Sequence, residues 1–156
     1  MTAQVWIAIL VGLAAIVDDL ARRQIANWIP AAALAGGLGW QIGQHGVLLG
    51  AGYALAGSGV GFLVFLIFYL LGGMGGGDVK LMAGFGALLG LPGVLWAALW
   101  TAAAGGILAV TVLAVKSIGR WFGLARKSGS EAPGKETIPY APAIALGVWL
   151  SLVPKG

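Results

Sequence analysis

Four ionisable side chains stand in apolar surroundings in this chain of 156 residues: Asp18, Asp19, Asp78 and Lys80. Such groups are costly inside a membrane and are functional candidates by default. Two aspartates sharing a proton can activate a water between them, one as base and one as acid. Two like charges a few ångströms apart will not both ionise, and the pair needs no cofactor. The stretch GGMGGGDVKLMAGFGALLG (72–90) surrounds Asp78 with glycines. A peptide bond inside a helix is shielded, so a peptide substrate must be extended with its backbone against the carboxylate. Glycines before Asp78 leave room for that approach. The plainer alternative is that Asp78 caps a helix and the glycines serve packing. Pairs such as Gly57/Gly61, Gly86/Gly90 and Ala102/Gly106 have the spacing that brings helices together in lipid.

Other chemistries find little support. There is no cysteine, hence no disulfide, thiol nucleophile or Cys-ligated metal. The single histidine, His45, lies in QIGQHG without a second His, Glu or Cys nearby and reads as a loop residue. No G-x-S-x-G or H-E-x-x-H motif occurs. No basic run interleaved with exposed aromatics suggests nucleic acid. Neither a cofactor nor a metal is expected.

The elements that must position these carboxylates are membrane helices. Sixty per cent of the residues are hydrophobic and 9% are charged, against about 25% charged in a typical soluble domain. The expectation is a single all-α, polytopic membrane domain over 1–156. Divided at its polar clusters, the chain gives about six transmembrane segments, near 2–18, 25–43, 47–71, 79–91, 93–115 and 138–154. The fourth is short for a full crossing, and Pro92 separates it from the fifth.

With six spans, Arg22, Arg23, Lys80, Lys116, Arg120, Arg126, Lys127 and Lys135 share one face, and only Lys155 is opposite. The positive-inside rule makes that face cytoplasmic and the N-terminus external. The same parity places Asp18, Asp19 and Asp78 at the cytoplasmic ends of their spans. The polar segment 116–137 lies on this face too. Its first half reads as an ordinary positive-inside loop or as an interfacial helix on anionic membrane lipid, and its second half as linker.

Against this background, GMGGGDVKLMAGFGALLG resembles the second catalytic motif of the bacterial type IV prepilin peptidases, membrane aspartyl proteases of the G-x-G-D class. DLARRQIANW (19–28) is similar to that family's first motif, an Asp ending span one followed by a basic stretch and Ile-Pro-Asn. IPYAPAIALG (138–147) resembles its last-span motif. Ala26 stands where the motif has proline. The resemblance implies catalytic roles for Asp19 and Asp78, with Gly75, Gly76, Gly77, Lys80, Asn27 and Pro139 as substrate-binding or supporting residues. It also implies removal of a short basic leader from a prepilin or pseudopilin in the bacterial inner membrane. Larger members carry a cysteine-bearing extension linked to methylation. This sequence resembles the short forms serving Flp-type pili, so methylation is not expected.

Two other readings share the same residues. One is a presenilin-like protease cutting within transmembrane helices. The other is a transporter or pilus-assembly subunit whose aspartates bind protons or pair with arginines.

The charge parity is directly testable. With Ser128→Cys, an impermeant thiol reagent added outside is expected to leave the protein unlabelled, whereas with His45→Cys it should label. Labelling at position 128 from outside would invert the topology.

Overall fold

The computed structural model describes residues 2–121 and 140–153. They form five helices: α1 (Ala3–Arg22), α2 (Trp28–His45), α3 (Val47–Leu70), α4 (Gly76–Trp121) and α5 (Ala141–Ser151). No strand occurs among the described residues. Pro139 and residues 122–137 of the expected polar loop lie outside them.

Helix α1 is two-faced, but with both faces apolar. Ala8, Gly12, Ala15 and Asp19 recur every three or four residues and are buried. Trp6, Leu10, Leu13, Val17 and Leu20 form the opposite, exposed face. The small face packs on α5, where a Cβ at Gly12 would meet the Trp149 ring at 3.0 Å. The Trp149 indole N–H donates to the Ala8 carbonyl at 3.1 Å. Small residues inward and large ones outward is the arrangement expected when the outer solvent is lipid.

Helix α4 is two helices meeting at Gly90, where φ is 68° and ψ 179°. That left-handed angle suits glycine and is strained for other residues. On α3, Gly57 lies against both Gly86 and Gly90, and Gly61 against both Met82 and Val94. Residues 82 and 94 therefore stand at one level, and the two arms form a helical hairpin. The break comes two residues before Pro92, where the sequence reading put it. Pro92 contributes differently: it has no N–H for the Leu88 carbonyl four residues back. Gln4 and Gln41 supply that bond instead, donating to Leu88 O at 3.0 and 3.3 Å.

The first arm is the centre of the molecule. Val79, Leu81, Met82, Phe85, Ala87 and Leu88 are all buried. It fits there because α2 and α3 present small residues to it, with Gly37 against the Ala87–Leu88 backbone and Gly57 against the Gly86 carbonyl. Of the small-residue pairs, Gly57/Gly61 and Gly86/Gly90 are thus packing sites. Gly106 instead faces open space. The second arm packs antiparallel to α5, with Gly147 against Ala97 and Thr101, and Gly105 against Tyr140.

The outside of the bundle is apolar, with Leu48 87%, Leu70 73% and Leu71 77% exposed. A surface of this kind belongs in a bilayer. Three described stretches are long and apolar enough for a crossing by length and composition alone: Ala3–Arg22, Val47–Leu70 and Gly76–Leu108, the last divided at Gly90 into two arms. Of the six crossings expected from the sequence, length and composition among the described residues support these three stretches, the third of them being two arms. Helix α2 carries Gln41, Gln44 and His45 in its last turns, and α5 as described has only 11 residues.

The close approach of α3 to the first arm of α4 sets an expectation for stability in detergent. Gly57→Val is expected to cost roughly 3 kcal/mol, because overpacking meets backbone that cannot yield. Gly59→Val, at a position with nothing within 4 Å, should change stability by no more than about 0.5 kcal/mol. Equal thermal midpoints for the two variants would contradict this packing.

Candidate active site

The site lies where the C-terminus of α1 meets the N-termini of α4 and α5. Asp19 continues the buried Ala8–Gly12–Ala15 face, so helical periodicity alone turns it inward. Its Oδ2 accepts the backbone N–H of Ala141 at 3.1 Å, from a residue 122 positions away. Ala141 opens α5, where an N–H has no partner within its own helix. Pro142 follows it with no N–H of its own. Asp19 thus receives a donor and the positive end of a helix dipole together.

Asp78 is placed by its own helix start. It is the third residue of α4, and its Oδ2 accepts the Gly75 N–H at 3.1 Å. A carboxylate reaching back from this position is half of a capping box. The capping alternative is therefore correct as far as it goes, but it does not account for where the carboxylate faces. Asp19 and Asp78, only 7% and 6% exposed, line one cleft of about 410 Å³.

The structure also separates the neighbouring aspartates. Asp18 is not part of the cleft. One of its oxygens accepts the Ala26 N–H at 2.7 Å, and the other pairs with Arg22 Nε at 3.3 Å. It borders a groove on the other side of the α1–α2 turn, with Leu13, Val17 and Trp28. Arg23, at the left-handed end of α1, lines the cleft instead.

The supporting residues converge on the same place. Gly75, Gly76, Gly77, Asn27 and Lys80 all line the cleft. Lys80 Nζ donates to Asn27 Oδ1 at 3.0 Å, tying the start of α4 to the start of α2. A Cβ on Gly77 would lie 3.2 Å from Ile25 Cβ, so this glycine lets the α1–α2 turn close on α4. Pro139 is outside the described residues, but Ala141, two residues on, donates its N–H to Asp19.

Sequence reasoning missed Arg23 and Gln24 as cleft residues, having read Arg23 as a topological charge and part of a basic stretch. It also gave Ala141 no role, although a free N–H beside a proline at a helix start is a visible signal. His45 is far from the cleft, with its ring against Tyr53 at 4.8 Å and Nδ1 3.3 Å from Gln41 O. Among the described residues no three His, Cys, Asp or Glu side chains come together as a metal site.

Beside the cleft, across Gly73–Gly75 and Tyr140–Ala141, lies an apolar pocket of about 240 Å³ formed by Phe65, Phe68, Met74, Ala98 and Tyr140 among others. Two buried carboxylates in a polar cleft with an apolar neighbour can serve acid–base chemistry on a substrate that is polar at one end and greasy at the other.

No curated protein and no solved structure matches the chain significantly. The family model of the type IV leader peptidases matches residues 6–110, which include Asp19, Asp78, the α1–α2 turn and the glycines before Asp78. With well over half its length matched, the chain belongs to the type IV leader peptidase family.

Proposed function

We propose that the protein is a membrane aspartyl endopeptidase that removes the short basic leader from Flp-type prepilins or pseudopilins at the cytoplasmic face of the inner membrane. The observation that carries this reading is the shared cleft: Asp19 and Asp78 both border it and Asp18 does not. A water held between the two carboxylates loses a proton to one of them as its oxygen attacks the scissile carbonyl. The other, protonated, hydrogen-bonds the carbonyl oxygen as negative charge builds there. Collapse of the tetrahedral intermediate breaks the C–N bond, and the leaving nitrogen takes a proton from the pair. The products are the leader carboxylate and the amine of the mature pilin.

The surroundings fit such a substrate. Gly75, Gly76 and Gly77 form a wall without side chains, along which an extended backbone can lie beside Asp78. Residues beyond the cut belong to an apolar helix in the bilayer and lie toward the apolar pocket. Position also favours a leader junction over a cut in mid-helix. Asp19 is in the last turn of α1 and Asp78 in the first turn of α4, so the cleft is at one end of the bundle. That end carries Arg22, Arg23 and Lys80, which the charge parity assigns to the cytoplasm.

The experiment is incubation of the purified protein with a prepilin. One cut is expected, at the leader junction. Asp19→Asn and Asp78→Asn should each lower the rate by at least ~10³-fold, the scale of acid–base catalysis, while Asp18→Asn keeps most of it. No cleavage by the unaltered protein would favour a transporter or assembly subunit, and equal loss in Asp18→Asn would refute the assignment of Asp19.

Gly77→Val tests the glycine wall. Its Cβ needs only a small movement of Ile25, so insertion and folding should survive, but the branched methyls crowd the cleft and cleavage should be lost. Normal turnover by this variant would leave the glycine with a packing role alone.

A further inference from the structure

The α1–α2 turn must do more than reverse the chain. Residues 23–27 lie between the helices, and from them Ile25 packs on Gly77 while Asn27 holds Lys80. Whatever sets the register of this turn also sets how the end of α1, with Asp19, meets the start of α4, with Asp78. The backbone offers little for that purpose. Arg23 N–H bonds back to Asp19 O, and the N–H groups of Ile29 and Ala31 donate back to Ala26 O and Asn27 O, which ties the turn to α2 but not to α1. The side-chain bond that ties the middle of the turn to α1 is Ala26 N–H to Asp18 Oδ2, spanning eight residues at 2.7 Å. Arg22 holds the other oxygen, so the carboxylate is fixed at both ends. The Asp18 side chain is 15% exposed and that of Arg22 75%. The Ala26 bond is therefore the protected half, and the ion pair the solvated, weaker one.

We propose that Asp18 is a positioning residue: through the Ala26 N–H it clamps the α1–α2 turn, so that Ile25 and Asn27 seat on α4 and Asp19 and Asp78 face one cleft. The bond depends on residue 26 having an N–H, which alanine has and proline lacks. Ala26 and Asp18 thus form one device. Its consequence for catalysis rests on the peptidase reading above, whereas the clamp itself does not.

Two measurements separate these. The clamp is read by a disulfide between Ile25→Cys and Gly77→Cys, whose Cβ atoms would stand 3.2 Å apart, slightly closer than the usual separation of about 3.5–4.5 Å. The chain has no other cysteine to interfere. Bridging is expected to be rapid with Asp18 intact and little changed with Asp18→Asn, whose amide oxygen still accepts the Ala26 N–H. With Asp18→Ala it should slow at least tenfold. In an Ala26→Pro background Asp18→Ala should slow it no further. Equal bridging in Asp18→Ala and the unaltered protein, or equal slowing in Asp18→Asn and Asp18→Ala, overturns the clamp.

Prepilin cleavage reads the consequence. In Asp18→Ala, kcat should fall about tenfold with KM little changed, and Asp18→Asn should restore it. A rise in KM at constant kcat would make Asp18 a substrate-binding residue instead. If the unaltered protein cleaves no prepilin, the functional reading fails while the disulfide result still decides the clamp.

Discussion

Everything else in the fold depends on the backbone of one short helix lying against the backbones of its neighbours. The first arm of α4 runs from Gly76 to the break at Gly90. At 1.5 Å per residue it is about 20 Å long, short of the roughly 30 Å hydrocarbon core. Such a helix can begin and end within the membrane's depth only if protein surrounds it. Gly37 on α2 and Gly57 and Gly61 on α3 provide that enclosure by admitting its backbone to contact. The irregular backbone at Gly90 is tolerated for the same reason. It is buried in protein, and the Leu88 carbonyl is satisfied by Gln4 and Gln41 rather than left in an apolar interior.

The shortness of this arm places Asp78. Because the helix starts inside the bundle's footprint, its first turn presents Gly75 and the Asp78 carboxylate to the ends of α1 and α5. Asp19 arrives there by helical periodicity and is held by the first N–H of α5. Each carboxylate thus uses a helix terminus, a place where unpaired N–H groups already exist. An apolar bundle can then keep two acids buried near each other without a dedicated set of polar side chains.

Much of this was legible in the sequence, and the exceptions have a common cause. The carboxylates and the glycine run are plain in residue type and spacing, whereas the choice of Asp19 over Asp18 rests on the resemblance of DLARRQIANW to a family motif. The roles of Gln4 and Gln41 were not legible, because a glutamine in an apolar span has no visible partner until the helix carrying Leu88 is placed beside it. Gly90 was passed over in favour of Pro92, since proline is the stronger breaker by rule while only the backbone angles show which residue bends. Asp18 lies outside the cleft, and its bond to Ala26 needs the actual path of the turn. Ala26 stands where the resembled motif has proline. It carries the N–H by which the turn is held to Asp18.

The meeting of Asp19 with Asp78 across one cleft can be measured without any substrate. Cysteine pairs are introduced in the otherwise cysteine-free chain and treated with a short bifunctional thiol reagent in membranes. Asp19→Cys with Asp78→Cys is expected to cross-link readily, and Asp18→Cys with Asp78→Cys to remain unlinked. Efficient linking of position 18 to position 78, with none from position 19, would contradict the arrangement of the site described here.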